Sequence, residues 1–168
     1  IATEAVYQGG AGVIMDIETG ALLALTSYSA EASDSLQNNA ITGLYAPGSI
    51  IKPFMALAAL EEGIITPDTK INSPGYIYLP DQNQPTGYAT FGDWRRHGLV
   101  NLREAIGLSS NVYFYSVGGG FEDQEGLGIE RIDSYLTLFG FGQPTGISGL
   151  SESMGQIPTP AWKREVYD

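Results

Sequence analysis

After a short lead, two apolar-rich runs open the chain, Ala11-Gly-Val-Ile-Met-Asp-Ile-Glu18 and Ala21-Leu-Leu-Ala-Leu-Thr-Ser-Tyr28, joined through Thr19-Gly20. That pattern predicts an antiparallel β-hairpin. Residues 29 to 48 are small and polar, with Asn38-Asn39 and Pro47-Gly48, and predict a connecting loop. Phe54-Met-Ala-Leu-Ala-Ala-Leu-Glu-Glu62 contains strong helix formers and nothing β-branched, and Gly63 stands where a C-terminal cap belongs, so a helix is expected there. Four prolines (Pro67, Pro74, Pro80 and Pro85) and several glycines break up residues 64 to 100, which predicts an irregular excursion with short strands.

Asn101-Leu-Arg-Glu104 has capping-box spacing and opens a helix through Ile106 and Leu108. A second helix is expected from Val112 to Val117, stopping at Gly118-Gly119-Gly120. Ile129, Ile132, Leu136 and Phe139 recur at helical spacing before Gly140 and predict a third. The chain shows no internal repeat and no low-complexity tract.

Composition narrows the chemistry. At 168 residues the length fits one compact domain, and 43% hydrophobic against 16% charged residues can fill a core. Eight Lys plus Arg against nineteen Asp plus Glu give a net charge of -11, with no basic cluster beyond Arg95-Arg96, which argues against nucleic-acid binding. The absence of cysteine excludes disulfides, thiolate nucleophiles and Cys-based zinc sites. A single histidine, His97, rules out a multi-His metal site and leaves a Ser-His-Asp triad only one residue to use. No run approaches the roughly 18 apolar residues of a membrane span, and no signal sequence opens the chain. A soluble piece is expected, and Ile1 suggests one excised from a longer protein.

A nucleophile in such a chain needs a base other than histidine. Pro47-Gly-Ser-Ile-Ile-Lys-Pro53 places Ser49 three residues before Lys52 at the mouth of the apolar helix, and positions i and i+3 share a helical face. A lysine amine can take a serine's proton if desolvation or a neighbouring cation keeps it neutral. The alternative is that Ser49 is an N-cap and Lys52 a solvated first-turn residue; S-x-x-K arises by chance in about a quarter of chains with this composition. Pro53 is tolerable only in a first helical turn, so Ser49 must lie near the helix start, where backbone amides favour developing negative charge. Sixty residues on, Ser109-Ser-Asn111 falls between two predicted helices; alone it reads as a polar turn with caps.

S-x-x-K followed by S-x-N is the motif order of the penicillin-recognising serine acyltransferases. The chain resembles the transpeptidase domain of class B penicillin-binding proteins, especially elongation-type peptidoglycan D,D-transpeptidases. Asn39 to Pro53 is similar to that family's approach to its nucleophile, and Val13 to Leu25 to its first hairpin. His97 to Ile106, running into Ser109-Ser-Asn-Val-Tyr-Phe114, resembles its second-motif region, and Ile157 to Lys163 the segment that follows. The resemblance implies that Ser49 is the acylated nucleophile and Lys52 its general base. By the same resemblance Ser109 would relay a proton to the leaving amine, and Asn111 would bind substrate and orient Lys52. The family's third motif, K-[ST]-G, occurs nowhere here: Lys70 is followed by Ile71-Asn72 and Lys163 by Arg164-Glu165.

Residues 1 to 168 are therefore expected to be a partial transpeptidase domain of α+β class, a helical subdomain plus part of a five-stranded antiparallel sheet whose C-terminal strands are absent. One face of the hairpin and of the central helix should lie uncovered. The resemblance implies peptidoglycan stem peptides and β-lactam antibiotics as ligands, cell-elongation membrane proteins as partners, and no cofactor. It also implies a parent protein working on the extracytoplasmic face of the bacterial membrane. Two alternatives are a non-catalytic module binding peptidoglycan or a partner through the same fold, and a serine β-lactamase or β-lactam sensor. His97 is expected to be structural or superficial, Gly118-Gly-Gly120 a flexible helix exit, and Glu122-Asp-Gln-Glu125 solvated surface.

Overall fold

The computed structural model describes residues 7–30, 38–81 and 83–167; part of the predicted 29–48 loop lies outside them. The chain forms two compact units, one of residues 1–46 with 142–156, the other of residues 47–141 with 157–168.

The first unit holds the hairpin. Strand β1 (Gly9–Met15) pairs antiparallel with β2 (Leu22–Ser29), with Val13 opposite Leu25 and a bulge at Ile14/Met15. On the turn side the strands stop short of the predicted runs, because the turn is wider than Thr19-Gly20 alone, while at the far side each extends beyond them. Asp16 ends β1 by accepting the amides of Glu18 and Thr19 on its carboxylate, each at 2.9 Å. Gly20 then closes the turn at φ +74°, a left-handed value that costs glycine little. Part of the expected loop is a short helix, α1 (Asn39–Thr42). It is too short to persist on its own propensity. It is held by the Asn38 side chain, which accepts from Ala40, and by the Asn39 side chain, which donates to the Tyr28 carbonyl at 3.1 Å. In the 142–156 segment, Glu152 accepts from Thr145 and Gly146, and the Ser153 amide donates to Ile41.

The second unit is helical at its centre. A 3-10 turn, Gly48–Ile51, runs into α2 (Lys52–Glu61), with Pro53 in the first turn where its missing N–H breaks no helical bond. Helix α2 therefore starts two residues before Phe54. Its Ala56, Ala58 and Ala59 are buried, and such small side chains allow neighbouring helices a close approach. The main neighbours are α4 (Asn111–Gly119) and α5 (Gly128–Leu138). Helix α4 buries Val112, Tyr113, Phe114, Ser116 and Val117, so it is apolar nearly all round, as a central helix must be. It ends at Gly120 (φ +82°), at the end of the expected glycine exit. Ahead of α4 in the chain, α3 (Leu102–Gly107) opens with the full capping box: Asn101 accepts from the Glu104 amide at 3.0 Å and Glu104 accepts from the Asn101 amide at 2.9 Å.

The irregular excursion resolves into two small antiparallel sheets. Strand β3 (Ile71–Ser73) pairs with β6 (Gly98–Val100), and β4 (Tyr76–Pro80) with β5 (Tyr88–Gly92). A sixth helix, α6 (Pro160–Tyr167), was not among the predicted elements. Its start signal is present in the sequence: Thr159 accepts from the Trp162 amide at 3.2 Å and Pro160 takes the first position.

Hairpin residues remain exposed, Ile14 at 61% and Leu23 at 67%, and on α2 Leu57 at 54%. Patches of this kind are rarely left open on stable monomers. The isolated 168-residue chain should therefore melt broadly and at low temperature in circular dichroism; a sharp cooperative transition from a monomer would contradict this. Within the helical unit, Asn101→Ala should cost about 1 kcal/mol in denaturant unfolding, through loss of the cap.

Candidate active site

The N-terminus of α2 and the turn between α3 and α4 meet at Lys52. Lys52 is only 7% exposed although it opens a helix. Its Nζ donates to the Ser109 carbonyl at 2.6 Å and to Asn111 Oδ1 at 2.7 Å, and lies 3.1 Å from Ser109 Oγ. The solvated first-turn lysine of the alternative reading is not what the fold builds. Nor does Ser49 cap α2: the residue before the helix is Ile51, with no side-chain cap, and Ser49 sits in the preceding 3-10 turn with its carbonyl accepting the Lys52 amide. Ser49 is exposed. Of the four residues singled out in the two motifs, Lys52, Ser109 and Asn111 are thus in direct contact, and Ser49 stands one short turn before Lys52.

Burial lowers the Lys52 pKa, opposed by the negative charge of Asp93, and the net direction is down. Two of the Lys52 N–H groups satisfy the Ser109 carbonyl and the Asn111 amide oxygen, which can only accept, and the third neighbour is the Ser109 hydroxyl. The Ser109 carbonyl reaches Nζ from an unusual backbone: Ser109 has φ +53°, a left-handed value that costs a non-glycine residue about 1 kcal/mol or more.

Behind this turn lies a group that sequence reasoning missed. Asp93, just past β5, accepts on Oδ2 from Ser110 Oγ at 2.9 Å, the Val112 amide at 3.1 Å and Ser73 Oγ at 3.3 Å. Its Oδ1 accepts the Trp94 amide at 2.9 Å. Burial raises the Asp93 pKa, but the bonds from Val112, Ser110 and Trp94, with His97 nearby, outweigh it and hold the carboxyl below the usual range. Ser110 is wholly buried, lies 3.0 Å from Ser73 Oγ, and caps α4 by accepting from the Tyr113 amide. Asn111 also donates to the Gly92 carbonyl at 3.3 Å, which ties the motif to the end of β5. No fixed spacing links Asp93 to either motif; the only hint was a lone carboxylate four residues before the single histidine.

His97 is structural rather than superficial. Its side chain is fully buried, its ring meets Trp94 edge-on at 5.1 Å, and Nε2 lies 3.5 Å from Asp93 Oδ1 without hydrogen-bond geometry.

The family of the penicillin binding protein transpeptidase domain matches residues 10–167. The chain belongs to that family. It is 41% identical over 134 residues to peptidoglycan D,D-transpeptidase MrdA of Haemophilus influenzae, covering 79% of this chain and 19% of that protein. Among solved structures it is similar to Pseudomonas aeruginosa PBP2 in complex with WCK 5153, at TM-score 0.77 and 32% identity over 95% of this chain and 39% of that one. A complex between PBP2 and MreC from Helicobacter pylori matches at TM-score 0.77 and 30% identity, covering 93% of this chain and 31% of that one. The α+β fold expected from the sequence agrees with these neighbours. The chain spans about a fifth to a quarter of the length of the curated MrdA relatives. Among the described residues no helix is long and apolar enough to cross a membrane.

The Lys52 amine should titrate below the ordinary lysine range, measurable from the pH dependence of its trace acetylation. Since the folded chain gives up this proton at lower pH than the unfolded chain, rising pH through the interval between the two values should add stability.

Proposed function

We propose that the protein carrying this chain is a peptidoglycan D,D-transpeptidase. The observation that supports this most is a desolvated lysine held by Ser109 and Asn111 one turn after an exposed serine. In the proposed reaction Ser49 Oγ attacks the carbonyl between the terminal D-alanines of a stem peptide, and Lys52 Nζ takes the hydroxyl proton. The tetrahedral intermediate collapses, the peptide C–N bond breaks, and Ser109 passes a proton from Lys52 to the departing D-alanine amine. An amine of a neighbouring strand then attacks the Ser49 ester, forming the cross-link and freeing the hydroxyl. Asn111 holds Lys52 and offers its amide to the substrate. β-Lactams would acylate Ser49 by the same route.

On this reading residues 1–168 are the N-terminal part of a transpeptidase domain, and K-[ST]-G is supplied from outside them. The likeness to a PBP2 solved in complex with MreC supports a protein partner for this one, and peptidoglycan as substrate implies work on the extracytoplasmic face of the membrane. A buried lysine with a lowered pKa is a costly feature for a purely binding module, which favours the enzyme.

Mass spectrometry of the native full-length protein after penicillin treatment tests this. One adduct on Ser49, absent from Ser49→Ala, is expected; no adduct, or an adduct that survives the substitution, would overturn the assignment.

A further inference from the structure

Of the buried polar groups in the helical unit, Asp93 gathers the most bonds, and the proposed reaction gives it no task. It stands outside both motifs, on the link between β5 and β6. That link is laced to the end of β3: the Asp93 amide donates to the Gly75 carbonyl at 2.8 Å and the His97 amide to the Ser73 carbonyl at 3.0 Å. Gly75 permits the approach, with φ +102° and the Arg96 backbone nitrogen 3.4 Å from where a Cβ would lie. A strand edge thus presents a fixed carboxylate to the start of α4.

We propose that Asp93 is the positioning residue for Lys52: by gripping Ser110 and the Val112 amide it sets the Ser109–Asn111 turn, and through that turn the two oxygens that hold the amine. This rests on the transpeptidase reading for its effect on acylation, but not for its effect on Lys52 itself. All the donors that Asp93 collects from the turn lie within three residues of Ser109, and Ser109 is in a backbone conformation the chain would leave if released. An asparagine could not replace it. Both carboxylate oxygens accept from backbone N–H groups, Trp94 on one side and Val112 on the other, so a side-chain NH2 would face a donor whichever way it turned.

The carboxylate also acts through space, since its charge raises the affinity of Lys52 for a proton against the effect of burial. Among the described residues the other titratable side chain against Asp93 is His97, with Nε2 3.5 Å from Oδ1; on α4 the Tyr113 phenol is engaged elsewhere, donating to the Thr69 carbonyl. The Phe114 ring, its centroid 5.8 Å from Nζ, completes the enclosure.

The test uses the native full-length protein with Asp93→Asn and Ser110→Ala, both checked for folding by circular dichroism. The readouts are the rate of acylation by a fluorescent penicillin and the pH midpoint of Lys52 trace acetylation followed by mass spectrometry. Asp93→Asn should slow acylation about tenfold or more and move the Lys52 midpoint to lower pH. Ser110→Ala loosens the turn but keeps the Asp93 charge, so it should slow acylation and lower the midpoint less than Asp93→Asn does; it serves also if Asp93→Asn does not fold. Unchanged acylation in either folded variant overturns the positioning role, as does an unmoved Lys52 midpoint in Asp93→Asn. If the wild type is not acylated while Asp93→Asn still shifts Lys52, the transpeptidase reading falls and the link from Asp93 to Lys52 stands.

Discussion

The structure of the helical unit turns on the burial of one amine. Removing Lys52 Nζ from water is unfavourable unless acceptors replace the solvent. The acceptors come from more than fifty residues away, as a backbone carbonyl and an amide oxygen at 2.6 and 2.7 Å. To supply them, α2 and α4 must present their N-termini to one another, and Ser109 must adopt a left-handed backbone. The close approach of α2 to its neighbours over small buried alanines, and the nearly all-apolar α4, are what allow two helix ends to converge this closely.

A second tier fixes the first. Asp93 joins Ser73 at the end of β3, Ser110 and Val112 at the start of α4, and Trp94 and His97 on its own link. Short two-stranded sheets are marginal by themselves. Here they gain a role as the frame that carries a carboxylate to the α4 terminus, and the charge so placed opposes the desolvation of Lys52. Trp94 adds a further tie to the end of α3, donating from its indole to the Leu108 carbonyl at 3.0 Å.

The hairpin unit is different in character. Its strands pair well, but apolar residues on both runs stay exposed, and its turn and short helix depend on Asp16, Asn38 and Asn39 rather than on a core.

Local signals carried much of this fold. Two apolar-rich runs joined through Thr19-Gly20 marked the hairpin, the Asn101/Glu104 box marked α3, and helical spacing before Gly140 marked α5, because each depends on neighbours within a few residues. The motif order also singled out Ser49, Lys52, Ser109 and Asn111. The boundaries shifted where side chains took over from pattern, as at Asp16, or where a tertiary contact held a short helix, as at Asn39. What tertiary structure alone decided is that Lys52 is buried and gripped by Ser109 and Asn111, and that Asp93 stands behind that grip. Desolvation is a property of everything packed around a group, and no spacing along the chain encodes it. Likewise Asp93 reaches Ser110 only because β5 and the link to β6 fold back on β3, a long-range placement set by packing rather than by local pattern.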